Sequence, residues 1–410
     1  MNILKYLYPI FIGGIVVTMF CSCNRISKVD EALVNAISSG NLESVVTAVE
    51  SGANVNHIAG FYSRTNFSMH DSNPASLALF ENKVDIFKYL IGKGSNPNYT
   101  VKNNYSYLMF AITYLDFDLC EFLIDNKVDV NFESKEFGTA LDYMFIVEGL
   151  HGQNKEKCFE MANYLLSKGA KVTNKTLEAV LKGQNEDGYC RYDLVQFVLK
   201  KLIQSGQKSG LNETLEAAIL GDTEKVKQNF LANTFRQTDK NKLLFYSVAF
   251  GSVNTVRLIL EKDKIALKDD LSNTLLMVAA GYNNLDMVNF VSQAANLEDY
   301  NIDGYSALTI ALMHNQIENA QRLFSLGAKF QVMDRSSYEN REEENLNEVL
   351  AKKIDVLELS VYNGHLNSVE FILRNNYSGN VENLQYALDT AIERNEHEIA
   401  VFISSFEPKG

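Results

Sequence analysis

The chain has 410 residues and 46% hydrophobic content, enough for a continuous core, and no segment is poor enough in apolar residues to read as a long disordered tail. Its formal net charge is −13 and it carries no basic run. That excludes a nucleic-acid-binding face, which needs clustered Lys and Arg against phosphate, and a polybasic patch for anionic lipid heads.

The chain opens with Lys5 followed by an apolar run over residues 6–20, broken by Pro9 and by Gly13-Gly14. Phe20-Cys21-Ser22-Cys23 comes next. A charged start, a short apolar centre and small residues before a cut describe a secretory signal, so residues 1–22 are read as a signal peptide. The run is short for spanning the ~30 Å of a bilayer core. The end of the segment resembles a bacterial lipobox. The resemblance implies that Cys23 becomes the lipidated first residue, that 23–30 form a tether, and that Asn24 directs the chain to the outer membrane.

Residues 33–56 set the pattern for everything downstream. Leu33, Ala36 and Ile37 fall on one helical face, Gly40-Asn41 interrupts them, and Val45, Val46 and Val49 follow. The unit closes on Gly52-Ala53-Asn54-Val55-Asn56. The spacing predicts a short helix, a tight turn, a second short helix, a Gly stop and a polar loop. Such a unit cannot bury its apolar faces alone and is stable only when stacked.

The unit recurs. Gly94-Ser95-Asn96-Pro97-Asn98 repeats its ending, Lys127-Val128-Asp129-Val130-Asn131 does so with the Gly lost, and Gly169-Ala170 and Gly327-Ala328 do so again. Mid-unit turns recur at Gly221-Asp222, Gly251-Ser252, Asn283-Asn284 and Gly364-His365. Uninterrupted units stand about 30–33 residues apart, a period that marks helix–turn–helix repeats. On these residues the chain resembles the ankyrin-repeat family, although of the family's Thr-Pro-Leu-His opening only Asn73-Pro74 keeps the proline. The resemblance implies an all-α solenoid of about eleven units. They divide into N-terminal repeats over 31–203, a candidate hinge at 204–210, and C-terminal repeats over 211–410 carrying an insertion at 332–353. Three further interruptions are read as loops, at 57–71, 147–157 and 183–192. The polar last unit suits a capping repeat.

In the ankyrin family the two residues before the mid-unit turn line a concave groove where proteins bind. Carried over position by position, this gives Phe80, Tyr114, Phe250, Tyr282 and Tyr362, with Glu81 and His314 beside them. More of these positions are aromatic than an aromatic content of 11% supplies. Tyr and Phe give interfaces large contact area at low entropic cost.

No motif carries catalysis. Asp299-Tyr300-Asn301-Ile302-Asp303-Gly304 resembles a calcium loop, but Ile310 stands where the bidentate Glu is required. Gly206-Gln207-Lys208-Ser209 lacks the spacing of a phosphate loop, and His397-Glu398 lacks the second His of a zinc protease helix. The reading expects a non-enzyme without cofactor or metal. Cys120 lies in an apolar helix as a small hydrophobe. Cys158 and Cys190 occupy equivalent places after insertions in adjacent units, and export to an oxidising compartment points to a disulfide between them, with two free thiols as the alternative.

The sequence thus describes a monomeric, exported, lipid-anchored scaffold with a protein partner. Two other readings stand beside it: a carbohydrate-binding or enzymatic protein with its site in the insertions, and a dedicated inhibitor or immunity protein for one basic partner.

Overall fold

The computed structural model describes residues 27–62, 68–101, 104–151, 155–183, 192–232, 235–262, 267–269, 271–282, 284–332, 355–375 and 377–406. Their twenty-two helices form eleven consecutive pairs. The pairs are α1 (Lys28–Ser39) with α2 (Leu42–Glu50), α3 (Pro74–Phe80) with α4 (Val84–Gly92), α5 (Tyr107–Thr113) with α6 (Phe117–Asp125), and α7 (Ala140–His151) with α8 (Lys155–Ser167). Next come α9 (Asn174–Gly183) with α10 (Tyr192–Gln204), α11 (Glu213–Leu220) with α12 (Thr223–Ala232), α13 (Gln237–Phe250) with α14 (Val253–Lys262), and α15 (Leu275–Tyr282) with α16 (Leu285–Ser292). The last three are α17 (Ala307–Met313) with α18 (Ile317–Ser325), α19 (Val356–Tyr362) with α20 (Leu366–Arg374), and α21 (Val381–Glu393) with α22 (His397–Ser404). This is an all-α repeat architecture.

The described residues fall into two compact units, the first within Met1–Leu150 and Lys157–Lys171, the second within His151–Glu156 and Val172–Gly410. Within the second, first helices pack on first helices (α11 on α13, α13 on α15, α15 on α17) and second helices on second (α12 on α14, α14 on α16, α16 on α18). Most of the apolar positions read from the sequence are core: Leu33, Ala36, Ile37 and Val45 are buried, as are Leu79, Leu90, Leu276 and Leu323 further on, whereas Val46 and Val49 are half-buried and Ala48 takes the core side of α2. Each buried Leu, Ile or Val side chain contributes about 1.5–3 kcal/mol.

Local chemistry explains why the helices stop where they do. A left-handed residue closes the first helix of most pairs: Gly40, Asn82, Leu115, Gly221, Asn315, Gly364 and Asn395 all have φ between 47° and 78°. In some pairs a side chain then caps the second helix, as when Asn41 Oδ1 accepts from Ser44 N or Asp116 Oδ1 from Leu119 N; Lys83, Gln316, His365 and Glu396 make no such bond. The second helices end in a left-handed residue too, at Gly52, Gly94, Gly169 and Gly327. A Cβ at these four glycines would meet nothing within 4 Å, so the dihedral alone selects Gly. In the third pair the position is Lys127, at φ 67°.

The polar endings bind one pair to the next. Asn56 Nδ2 donates to Gly94 O (2.9 Å) while its Oδ1 accepts from Asn96 N (2.9 Å). Asn98 does the same to Lys127 O and Asp129 N (3.2 and 2.8 Å), and Asn131 to Gly169 O and Lys171 N (2.9 and 2.9 Å). The preceding polar residue shapes each loop by an Asx turn: Asn54, Asn96 and Asp129 accept from the N–H two residues on. In the second unit Glu298 replaces the amide and makes only the acceptor half, to Lys329 N at 3.2 Å.

The interruptions differ from simple loops. Residues 57–71 contain an antiparallel hairpin, β1 (Ala59–Tyr62) with β2 (Ser68–Ser72), and a second, smaller one joins β3 (Thr100–Val101) to β4 (Tyr105–Ser106). Residues 147–157 serve mainly to lengthen α7 and α8, which leave only 152–154 between them. Most of 183–192 and nearly all of 332–353 lie outside the described residues, as do the signal segment and Cys23. Residues 204–210 lie within the second unit, where Gln207 Nε2 donates to Val172 O and Ser209 Oγ to Glu216.

A β-carbon in the left-handed region costs about 1–2 kcal/mol, against roughly 0.5–1 kcal/mol for the extra chain entropy of Gly. Lys127→Gly is therefore expected to stabilise the chain by about 0.5–1 kcal/mol, read as a higher urea midpoint with an unchanged slope.

A ring-lined cleft at the mid-unit turns

The residues singled out in the sequence occupy one structural position. Phe80, Phe250, Tyr282 and Tyr362 are the last residues of α3, α13, α15 and α19, and Glu81, Tyr114 and His314 are the C-caps of α3, α5 and α17. They sit where the chain turns into the second helix. Phe80, Glu81 and Tyr114 belong to the first unit, and Phe250, Tyr282, His314 and Tyr362 to the second.

In the first unit the rings form a connected cluster. Phe80 meets Phe110 edge-on at 5.3 Å, and Phe110 meets Tyr114 at 5.0 Å. Phe80 also lies 6.5 Å from Tyr105, which packs edge-on against Tyr143 and Phe137 at 5.4 and 6.1 Å. The Tyr105 and Tyr143 hydroxyls meet Thr113 Oγ1 at 2.8 and 2.9 Å. Burial is the first cause that raises the phenols of Tyr105 and Tyr143 above their ordinary value of 10.0; Tyr105 is also raised by the neighbouring Tyr143. Tyr107, bonded to Asn73 and Ser76, is raised by burial too. Tyr114 stands apart, with 60% of its surface exposed.

In the second unit the mid-unit turns of α11, α13, α15 and α17 border a cleft of about 780 Å³. Phe250 and Tyr282 line it, together with the start of α18 at Gln316, Ile317 and Glu318. Its lining is rich in carboxamides, and among the described residues Glu318 is its one side chain charged at neutral pH. Helix α10 also reaches it: Gln196 lines the cleft and donates to Ile219 O, while buried Tyr192 packs edge-on against Tyr246 and Tyr282 at 5.0 and 5.4 Å. Tyr282 further contacts His314 at 4.6 Å, and the Arg394 guanidinium stacks 4.0 Å over Tyr362. Phe110, Tyr105, Tyr143, Tyr192 and Tyr246 were not singled out in the sequence. They lie inside helices or beside hairpins, where spacing marks only a core residue.

The other sequence sites are simpler. Cys120 is buried, and burial followed by nearby Asp116 pushes its thiol up to about 12, so it is inert at neutral pH. Cys158 is buried on α8, and its expected partner Cys190 lies outside the described residues. Asn301, in the stretch resembling a calcium loop, instead donates from Nδ2 to Asn273 Oδ1 and accepts at Oδ1 from Asp303 N and Tyr305 N, which fastens one turn to its neighbour. Among the described residues no three His, Cys, Asp or Glu side chains gather as metal ligands do, and no helix is long and apolar enough to cross a membrane.

Consecutive helix pairs whose first helices end at equivalent turn residues define a repeat scaffold. The family model for ankyrin repeats (three copies) matches residues 75–176, 214–299 and 244–334, more than half of the chain. The chain belongs to the ankyrin-repeat family, and is on that ground a protein-interaction scaffold. It is also similar to two proteins of Latrodectus tredecimguttatus. It is 32% identical to alpha-latroinsectotoxin-Lt1a over 27% of this chain and 7% of that one, and 32% identical to alpha-latrocrustotoxin-Lt1a over 29% and 8%. The chain thus spans under a tenth of the length of either relative.

Two outcomes follow from this geometry. Tyr114→Ala, mostly in solvent and losing one ring pair, is expected to cost no more than about 1 kcal/mol, whereas Tyr282→Ala, which loses two ring pairs, is expected to cost about 1–3 kcal/mol; thermal melts distinguish them. The raised phenols set a pH dependence. A group whose folded value lies above its unfolded value stabilises fully below the unfolded value and loses that contribution as pH rises through the folded one. The phenols are therefore expected to contribute a constant stability up to about pH 10 and to withdraw it above, with tyrosine ionisation at 295 nm appearing together with unfolding, while Cys120, raised from 9.0, starts the decline about one pH unit earlier.

Proposed function

We propose that this chain is an exported scaffold, held on a bacterial membrane through a lipid on Cys23, that captures a protein partner non-covalently at the mid-unit turns. The observation that carries the reading is the cleft of the second unit, where Phe250 and Tyr282 line a polar recess at the positions through which ankyrin repeats are expected to bind. Aromatic anchors surrounded by polar groups are the anatomy of a protein-binding patch. The anchor rests on the sequence alone, on Phe20-Cys21-Ser22-Cys23. A tethered scaffold meets membrane-side partners at raised effective concentration. The outer membrane is favoured by Asn24, and the scaffold acts as a monomer without cofactor or catalysis.

The test is a pull-down from the native cell envelope with residues 24–410 as bait, wild type against a Tyr114→Ala/Phe250→Ala/Gln316→Ala variant shown to be folded by circular dichroism. A protein retained by wild type and lost from the variant is the expected result. Equal capture by both removes the turn-residue surface from consideration.

A further inference from the structure

We infer that the cleft of the second unit is a receptor for an arginine side chain on an extended segment of the partner protein. This rests on the binding surface proposed above and names the chemistry that fills it. Three features of the cleft point the same way. Among the described residues Glu318 is the only charged group in its lining and no Lys or Arg pairs with it, and it is exposed in the first turn of α18. Gln316, beside it, makes no capping bond to its helix, which leaves its carboxamide available. Phe250 and Tyr282 supply ring surface in the same recess.

A planar guanidinium uses all three. It presents five donors in a fixed fork, pairs bidentately with a carboxylate, donates to a carboxamide oxygen, and stacks on aromatic faces. A lysine ammonium, compact and strongly hydrated, uses fewer of them. The same chain already holds a guanidinium against a ring at this kind of position, Arg394 over Tyr362 at 4.0 Å. The net charge of −13 favours approach of a basic segment, and a single acid at the cleft fixes where the charge docks. Glu318 also complements the dipole of α18, a role that needs no ligand and predicts no binding.

The probe is a fluorescein-labelled Gly-Gly-Arg-Gly-Gly peptide and its citrulline twin, which keeps shape and loses charge, titrated into residues 24–410. The Arg peptide is expected to bind at least about ten-fold more tightly than the citrulline peptide, a difference of about 1.4 kcal/mol. Glu318→Gln is expected to abolish that preference, while Glu213→Gln, an exposed acid at the start of α11 outside the cleft, leaves it intact. Equal binding of the two peptides, a preference that survives Glu318→Gln, or binding of neither peptide overturns the inference. A partner captured in the pull-down through the turn residues but held equally by Glu318→Gln overturns the inference and leaves the scaffold reading standing.

Discussion

A pair of short helices cannot bury its apolar faces by itself, so the structure depends on what fixes one pair against the next. Apolar contact supplies most of the free energy but is non-directional and tolerates sliding. The carboxamides of Asn56, Asn98 and Asn131 supply direction. Each donates to a carbonyl and accepts from an N–H of the following pair, and those two bonds are satisfied together at one register only. An Asp or Glu offers acceptors alone, as Glu298 shows with its single bond to Lys329 N.

Register decides function because it sets where the mid-unit turns fall. Phe250, Tyr282 and the start of α18 line one cleft only while consecutive pairs keep their spacing, which the second unit holds not by the amides of Asn56, Asn98 and Asn131 but by bonds such as Asn319 Nδ2 to Ala280 O and Asn301 Nδ2 to Asn273 Oδ1. The ring contacts divide these residues by role. Tyr282 is held by Tyr192 and His314 and acts as a fixed wall, while Tyr114, mostly in solvent, is an adaptable contact. A rigid wall beside exposed polar groups lowers the ordering cost of binding.

Much of this was legible in the chain. The Gly-x-Asn-x-Asn endings announced both the left-handed stop and the polar loop. In the structure the two Asn residues divide the work, the first bending the loop and the second reaching the neighbour. The groove residues shared one helix-end position, as their spacing before the turn implied. Other features were hidden for physical reasons. Leu115 adopts φ 47° although nothing about leucine favours it; the pattern of its neighbours imposes the turn. The hairpin of β1 and β2 was missed because its strands are too short for alternation to register. In the sequence Tyr192 is the last residue of the 183–192 interruption, whereas in the structure it opens α10, and its contact with Tyr282 joins residues far apart in the chain.

The clamp is tested most directly by equilibrium urea unfolding of Asn98→Ala. Two partly solvated hydrogen bonds are removed and no apolar surface is uncovered, so the account predicts a loss of about 1–2 kcal/mol, with faster hydrogen exchange at the Asp129 amide that Asn98 holds. An unchanged midpoint together with unchanged exchange at Asp129 would contradict it, and apolar packing alone would then set the register.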